Sequence, residues 1–207
     1  MVKVLVIGAN GKVGRLAVEK IKSEKGMEPT AMIRKKSQAD FFKGMEVDFI
    51  EKDLSASKEI LQDIIRNFDA VVFTAGSGGN TGAEKTLEID LDAAVKCMEA
   101  AEESDVKKFV LVSAAYADER EFWDRTALKP YYIAKHYADL ALKNSSLNYS
   151  ILRPVSLTDE DAKGQYHFKS ETDDSLGDSV SREDVANLIT DCLTKPEFNR
   201  RVIEFSN

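Results

Sequence analysis

The stretch VIGANGKVGRL, residues 6–16, decides the fold, because three glycines follow directly on an apolar, strand-like run. Gly8, Gly11 and Gly14 have the spacing G-x-x-G-x-x-G. A turn of this kind lets backbone N–H groups and the positive end of the next helix face the diphosphate of a dinucleotide. The same pattern also occurs in ordinary turns between a strand and a helix, and its context has to distinguish the two.

The context favours a nucleotide site. The run 2–8 predicts a buried strand, and apolar residues at helical spacing follow over 11–25. Beyond them, apolar strand-like segments alternate with helix-length segments, which predicts parallel strands. The further predicted strands are 29–34, 45–53, 69–76, 107–115, 148–154 and 200–206, and the further predicted helices are 57–67, 83–103, 130–144 and 182–195. We therefore expect one α/β domain over 1–207, a doubly wound parallel sheet (Rossmann fold) with helices on both faces and a small substrate-side region at about 155–181.

Composition excludes some classes of protein. The formal net charge is −7, and an acidic surface repels phosphate backbones, so no nucleic-acid partner is expected. No apolar run reaches the ~18 residues that a membrane span needs. Cys97 and Cys192 lack metal-ligand spacing and are predicted to be core residues. These features predict a cytoplasmic protein that acts on a small molecule and has neither a metal nor a membrane partner. The sequence leaves open whether it forms a homodimer.

The end of the second predicted strand carries Arg34, Lys35 and Lys36 in sequence. Sites that prefer NAD place a carboxylate here to bind the ribose 2′-hydroxyl. A cationic cluster suits the 2′-phosphate of NADP instead, and a guanidinium can bind that phosphate through two hydrogen bonds. Charge runs are often only solvated surface, but the position of this one favours NADP over NAD.

The segment YYIAK places Tyr131 and Lys135 four residues apart, on one face of a helix. That face is otherwise apolar, so Lys135 is expected to point inward. A buried ammonium near a phenol lowers the pKa of the phenol and favours proton transfer near neutral pH. Ser113 follows a central strand, at the edge where doubly wound sheets bind ligands.

An acidic residue interrupts an apolar helical stripe. The stripe consists of Leu87, Leu91, Ala94, Val95 and Met98, and Asp90 lies on it. Because an inward carboxylate needs a partner, we expect Asp90 and Lys135 to form a buried ion pair beneath the coenzyme ribose.

These motifs resemble the short-chain dehydrogenase/reductase superfamily, and within it the atypical branch related to biliverdin-IXβ/flavin reductases and nitrogen-regulator-like sensors. The resemblance rests on GANGKVG, EKDLS, VVFTAGSGG, YYIAK, YSILRP and SREDVA. It implies that Tyr131 donates a proton, that Lys135 holds the nicotinamide ribose and that Ser113 orients the substrate oxygen. Asp90 stands where the superfamily usually has a catalytic asparagine.

The resemblance also implies a coenzyme-binding set. Asp53 and Leu54 would flank the adenine, Ala75 and Gly76 would pass beneath its ribose, and the residues after the last core strand would contact the carboxamide. The full set is Gly8, Asn10, Gly11, Lys12, Val13, Gly14, Arg34, Lys35, Asp53, Leu54, Ala75, Gly76, Lys135, Pro154 and Val155.

The expected activity is NADPH-dependent transfer of hydride to a small carbonyl, quinone or flavin-like acceptor. One alternative is a redox sensor that binds NADP(H) without turnover, which the unusual Asp90 suggests. Another is an epimerase or dehydratase, which is disfavoured because about fifty residues follow Pro154 and relatives acting on nucleotide sugars generally carry a larger substrate domain.

The remaining predictions concern the surroundings of the site. The polar segment 158–179 is either a solvated loop or a flap over a substrate pocket. Phe122 and Trp123 are predicted to anchor a helix rather than line the pocket mouth. His136 and His167 are predicted to be structural or solvent-facing.

Overall fold

An eight-stranded sheet forms the centre of the structure, a computed structural model that describes residues 1–79, 81–170, 172–173 and 175–207. The strands are β1 (Val2–Ile7), β2 (Met27–Ile33), β3 (Asp48–Glu51), β4 (Ala70–Phe73), β5 (Lys108–Val112), β6 (Tyr149–Pro154), β7 (Ser156–Thr158), β8 (His167–Phe168), β9 (Ser179–Ser181) and β10 (Arg201–Ser206). The helices are α1 (Lys12–Ser23), α2 (Ala39–Gly44), α3 (Lys58–Ile65), α4 (Ala83–Thr86), α5 (Ala94–Glu102), α6 (Arg120–Asp124), α7 (Lys129–Asn144) and α8 (Arg182–Thr194). A π-helical segment, Leu87–Ala93, joins α4 to α5, and Lys36–Gln38 and Pro196–Phe198 are short 3₁₀ helices.

The order of the strands identifies the edge at which a ligand would bind. The order is β3-β2-β1-β4-β5-β6-β10-β8, and neighbouring strands from β3 to β10 run parallel. The chain moves outward from β1 to β3 and then returns past β1 to begin its second half at β4. The order therefore reverses between β1 and β4, and sheets of this kind bind ligands beyond the carboxyl ends of the strands at that point.

The expected doubly wound α/β sheet is confirmed, with one difference. The sheet is not wholly parallel, because β8, which lies in the predicted loop 158–179, pairs antiparallel with β10. The pairing joins His167 to Ser206 and Phe168 to Phe205, and it covers the edge that β10 would otherwise expose. The strands β7 and β9 form a separate two-stranded sheet.

Alternate residues of the strands build two apolar layers, one on each face of the sheet. In β1, Val4 and Val6 pack with residues of α1 and α8, whereas Leu5 and Ile7 pack with residues of α3 and α5. All four side chains have 0% exposure. Because both faces are covered, the strand is uniformly apolar rather than alternating, as parallel strands generally are.

Both cysteines are core residues, as predicted. Cys97 lies on α5 and Cys192 on α8, and both are buried. Burial raises the pKa of each thiol to about 12. The thiols are therefore protonated at neutral pH and are poor nucleophiles.

The long helix predicted over 83–103 forms, but its buried face differs from the predicted stripe. Asp90 and Met98 are buried as expected, whereas Leu87 is 48% exposed. The π-helical segment begins at Leu87 and places one extra residue in its turn, so Leu87 is rotated away from the face that Ala94 and Met98 bury after it. The predicted stripe is therefore wrong at its beginning, while the carboxylate of Asp90 remains inside.

Asp184, at the start of α8, anchors the polar segment 158–179. Its side chain has 0% exposure. The carboxylate accepts hydrogen bonds from the backbone N–H groups of Lys163 and Gly164 and from the side chains of Ser181 and Asn207. Burial alone would raise the pKa of Asp184, but these hydrogen bonds outweigh it and lower the pKa. Part of the segment is thus fixed to the body of the protein.

We expect Asp184→Ala to lower the free energy of unfolding by ~2–4 kcal/mol, because the variant leaves buried donors unpaired and removes a group at the helix start. The measurement is urea denaturation. The matched control is Asp191→Ala on the same helix, which removes a pair with Lys195 and should cost no more than ~0.5 kcal/mol. The difference in the free energy of unfolding between wild type and Asp184→Ala should be largest above the ordinary carboxyl pKa. It should shrink as the pH falls through the lowered pKa of Asp184. Equal effects of the two substitutions would contradict the anchoring role.

Candidate active site

The turn after β1 requires glycine at two positions, Gly8 and Gly14. Gly8 has φ +81°, and a Cβ there would lie 2.5 Å from the backbone nitrogen of Ala75. A Cβ on Gly14 would overlap the carbonyl oxygen of Gly8, so this glycine lets α1 approach the turn. Gly11 caps α1 without a side-chain hydrogen bond, and its N–H donates to the Gly8 oxygen at 2.9 Å. The turn therefore presents bare backbone at the start of a helix.

A cleft of about 410 Å³ opens beside this turn, and we call it the glycine-turn cleft. It lies at the carboxyl ends of β1, β2 and β4, where the strand order reverses. The predicted coenzyme residues that line it are Gly8, Asn10, Gly11, Arg34, Asp53, Leu54, Ala75 and Gly76. The structure thus brings together residues from four separate loops that had been predicted to bind one ligand.

Other members of the predicted set lie outside the lining of this cleft. The ammonium of Lys12 pairs with Asp159, and the backbone N–H of Lys35 donates to the Gln38 side chain at 3.1 Å. Val13 and Val155 are buried in the core layer on the α1 face. Pro154 ends β6, and its carbonyl accepts a hydrogen bond from the Ala115 N–H. Their contacts with a coenzyme remain a prediction.

Sequence reasoning missed part of the cleft. Gln38, Lys52, Thr81 and Lys85 also line it. The backbone N–H of Lys52 donates to the carbonyl of Ile33 at 2.8 Å, so Lys52 lies beside the end of β2 and close to Arg34. The parallel pairing of β2 with β3 could have revealed this neighbour, since both strands end at the same edge.

The cleft also holds two carboxylates, Asp53 and Glu88, and Glu88 pairs with Lys85. The backbone N–H of Ser55 lowers the pKa of Asp53 and outweighs the effect of burial, and Arg34 and Lys85 lower it further. Asp53 is therefore ionised at neutral pH, and two cations of the cleft lie within electrostatic reach of it.

A buried ion pair lies at the carboxyl end of the neighbouring strands. The Lys135 ammonium is 3.2 Å from Asp90 Oδ1, and the two side chains are 5% and 1% exposed. The ammonium also donates to the carbonyl of Val112, at the end of β5, at 3.3 Å. It lies 5.5 Å from the centroid of the Tyr131 ring. The predicted pair is therefore present beside the phenol, and the strand residue that the ammonium contacts, Val112, directly precedes Ser113.

Asp90 also connects this pair to the glycine-turn cleft. Its second oxygen, Oδ2, accepts a hydrogen bond from the backbone N–H of Ser77 at 2.9 Å. Ser77 and Gly76 both line the cleft, and a Cβ on Gly76 would lie 3.0 Å from Asp90 Oδ1. One carboxylate thus holds the cleft wall with one oxygen and the lysine with the other.

Lys135 lowers the pKa of Tyr131, as expected, but the net pKa of this phenol is raised and not lowered. Burial raises the pKa of this phenol, and Asp90 and Asp139 raise it further, while Lys135 acts in the opposite direction. The reason is the depth at which the phenol is buried, because the effect of burial exceeds that of the ammonium. Tyr131 is thus a phenol, not a phenolate, at neutral pH.

A second buried pair lies one helical turn further along α7. Arg153 Nε donates to Asp139 Oδ2 at 2.8 Å, and Arg153 Nη1 donates to Asp118 Oδ2, also at 2.8 Å. Burial alone would raise the pKa of Asp118, but Arg153 outweighs it and lowers the pKa to about 2. Sequence reasoning missed these residues, although an arginine within the buried strand YSILRP is a signal for an inward partner.

Ser113 lies beside this network. Its side chain is buried. Burial raises the pKa of Asp139, and Ser113 acts in the opposite direction and lowers it. The serine therefore faces the polar side of α7, between the two buried pairs.

The aromatic residues before α7 act mainly as anchors. Trp123 is 1% exposed, and its indole N–H donates to the Tyr116 carbonyl at 3.0 Å, in agreement with the predicted anchoring role. Phe122 stacks on Tyr116 with ring centroids 4.5 Å apart. His136 is held by Asp118, 2.9 Å from its Nδ1.

Features of other protein classes are absent from the part of the chain that the structure describes. A larger cavity of about 660 Å³ lies at the opposite edge of the sheet, beside Lys108, but it has neither the glycine turn nor the tyrosine. No group of three or more metal-ligating side chains occurs within the described ranges. None of the helices described is both long and apolar enough to cross a bilayer.

Comparison with known proteins agrees with this geometry. A family described as NAD(P)H-binding matches residues 8–196. An uncharacterized sugar epimerase of Bacillus subtilis, YhfK, is 38% identical over 204 residues, which cover 99% of this chain and 94% of the relative. A Bacillus halodurans structure, provisionally assigned as an NAD-dependent epimerase/dehydratase, has 35% identity and a TM-score of 0.90 over 100% of this chain and 94% of that one. The oxidoreductase ylbE of Lactococcus lactis has 30% identity and a TM-score of 0.84, with 99% and 90% covered. The chain belongs to the NAD(P)H-binding family of Rossmann-fold proteins.

Proposed function

We propose that this protein is an NADPH-dependent reductase that acts on a small carbonyl, quinone or flavin-like acceptor. The observation that carries the proposal is the arrangement at one sheet edge. A glycine cradle with cations occupies one end of this edge, and the Tyr131–Lys135 pair occupies the other.

The residues present fit a dinucleotide. The turn at Gly8 and Gly14 leaves bare backbone where any Cβ would collide, and the N-terminus of α1 follows it. That arrangement suits a diphosphate, because unpaired N–H groups and the helix dipole both favour an anion. Arg34 and Lys52 would hold the 2′-phosphate of NADP beyond it.

The side chains at the other end suit reduction. The bound coenzyme would supply the hydride, as nicotinamides do in this superfamily. Tyr131 would donate its hydroxyl proton to the acceptor oxygen, and it is protonated at neutral pH. Lys135 directs two hydrogen bonds to Asp90 and Val112, and a third N–H bond remains for a ribose hydroxyl.

The relatives also motivate a second candidate, an epimerase, because two of them carry that word in their descriptions. An epimerase returns the hydride to the same substrate, so it consumes no reduced coenzyme overall. Net loss of the reduced-nicotinamide absorbance with an acceptor present supports a reductase. Interconversion of nucleotide sugars without such loss supports an epimerase.

We expect Arg34→Ala to weaken the binding of NADP⁺ by ~10–100-fold and to change the binding of NAD⁺ by less than ~3-fold, since only NADP⁺ has the phosphate that Arg34 would contact. Isothermal titration calorimetry measures both. The control is Lys36→Ala, a nearby cation that does not line the cleft. Equal losses for the two coenzymes would refute the assignment of Arg34.

We expect Tyr131→Phe to lower kcat by ~100-fold or more with whichever acceptor a panel of aldehydes, quinones and flavins identifies, because the proton donor is removed. Coenzyme affinity should stay within ~3-fold of wild type. The matched control is Tyr132→Phe, since Tyr132 packs on Phe122 instead of Lys135. An unchanged kcat in Tyr131→Phe would overturn the proposed role.

A further inference from the structure

We propose that the cavity of about 660 Å³ at the opposite edge of the sheet is a second ligand site, in which Lys108 binds the carboxylate of a small molecule with an apolar body. We call it the Lys108 cavity. Val2, Ala70 and Lys108 line it, and they are the first residues of β1, β4 and β5. The glycine-turn cleft lies at the other ends of the strands. The proposal is therefore independent of the coenzyme and of the proposed reductase function.

Lys108 begins β5 with its side chain turned inward. The next residue, Phe109, belongs to the apolar layer that packs on α3 and α5, and Val110 belongs to the layer that packs on α1 and α8. Because side chains alternate along a strand, Lys108 lies on the same face as Val110, the side of α8. It is only 7% exposed and it lines the cavity. The amine is therefore part of the cavity wall and is not extended into solvent.

The ammonium of Lys108 lacks a carboxylate among the residues that the structure describes. Its Nζ donates to Asn199 Oδ1 at 2.6 Å, which leaves two of its three N–H groups for another partner. A buried charge costs free energy unless it is paired. The other lysine described as buried, Lys135, has the carboxylate of Asp90 at 3.2 Å. Lys108 thus has the environment of an ion pair without the anion.

The carboxylates around the cavity are engaged elsewhere. Asp69 lines the cavity, but its Oδ1 lies 3.1 Å from the ammonium of Lys107 and its Oδ2 accepts the backbone N–H of Lys3 at 3.0 Å. On α8, Asp191 pairs with Lys195 at 2.9 Å. An anion for Lys108 is therefore best supplied by a ligand.

The charge of the lining favours such a ligand. Three lysines and one carboxylate are among its described residues, although the whole chain has a net charge of −7. A concave surface lined mainly by one sign of charge attracts ligands of the other sign. Burial lowers the pKa of Lys108, and an anion beside it would raise that pKa again. The thiol of Cys192 on α8 supplies no charge, because burial raises its pKa to about 12.

The rest of the lining suits an apolar body. Val2, Ala70, Leu193 and Pro196 form this part of the wall. The volume is within the range of cavities that bind small molecules. An inorganic anion would leave the apolar wall unused, whereas a carboxylate with a short alkyl chain uses both parts. Its oxygens would accept charge-assisted hydrogen bonds from Lys108 while its chain covers Leu193 and Pro196.

The experiment is an NMR titration of the ¹⁵N-labelled protein with hexanoate. The backbone amide signals of Lys108, Leu193 and Asn199 should shift in a saturable way, with a Kd of ~1 mM or tighter. Hexanol, which lacks the charge, and inorganic phosphate, which lacks the chain, should each bind at least ~10-fold more weakly. Absence of saturable shifts at these amides overturns the proposal. Hexanol or phosphate binding as tightly as hexanoate overturns it as well.

Substitution of the lysine tests its role. Lys108→Met keeps the apolar stem, removes the charge and should weaken hexanoate binding at least ~10-fold. The matched control is Lys107→Met, because Lys107 lines the same cavity but is 78% exposed and paired with Asp69. It should change the Kd by less than ~2-fold. Equal losses in the two variants would contradict the assignment, and Lys108→Gln is titrated if circular dichroism shows that Lys108→Met is unfolded.

A titration with NADP⁺ separates this site from the coenzyme site. Hexanoate should bind with the same Kd in the presence and absence of saturating NADP⁺, since the two ligands would occupy opposite edges of the sheet. Displacement of hexanoate by NADP⁺, with shifts at Gly8 and Gly11 instead of Lys108, would place it in the glycine-turn cleft and overturn the second site. Failure of NADP⁺ to bind would contradict the proposed reductase and leave the hexanoate result to decide the Lys108 cavity.

Discussion

The interaction on which the site depends is the buried pair of Asp90 and Lys135. Neither side chain could remain charged alone at 1% and 5% exposure, because a lone ion in the interior costs several kcal/mol. Each residue therefore requires the other. Since Asp90 belongs to the π-helical segment before β5 and Lys135 to α7, which follows β5 and α6, the pair fixes the spacing of two helical segments beside the same strand. The phenol of Tyr131 takes its position from that arrangement.

The second pair extends the same principle along α7. Asp139 lies one helical turn beyond Lys135 and is bound by Arg153 of β6, which in turn binds Asp118. The polar side of α7 thus meets the sheet through compensated charges instead of apolar packing. Such contacts add little net stability over apolar ones, but they permit few alternative alignments of helix and sheet. For a site that must place a proton within hydrogen-bond reach of an acceptor, this restriction is useful.

The sequence was sufficient for the architecture and for the buried Asp90–Lys135 pair, but not for the electrostatics of the candidate site. The glycine turn, the alternation of elements and the inward acid all follow from local pattern and period. Lys52 could not be found in this way, because its place in the cleft depends on the pairing of β2 with β3. Gln38 lies there for a local reason, since its side chain accepts hydrogen bonds from the backbone N–H groups of Arg34 and Lys35. The exposure of Leu87 depends on a π-helical turn that apolar spacing does not reveal. The raised pKa of Tyr131 could not be predicted from the sequence, because it depends on how deeply the phenol is buried.

The Asp90–Lys135 pair is also relevant to the choice between two reactions, because one fold accommodates both reductases and epimerases. Both classes move a hydride to and from a nicotinamide and need a tyrosine that exchanges a proton. In this chain the buried lysine keeps its charge because Asp90 compensates it. Compensation of this kind serves either reaction, so the pair does not by itself separate a reductase from an epimerase. One fold hosts many chemistries, and likeness to proteins described as epimerases is therefore a weaker guide to the reaction than the groups that face the substrate.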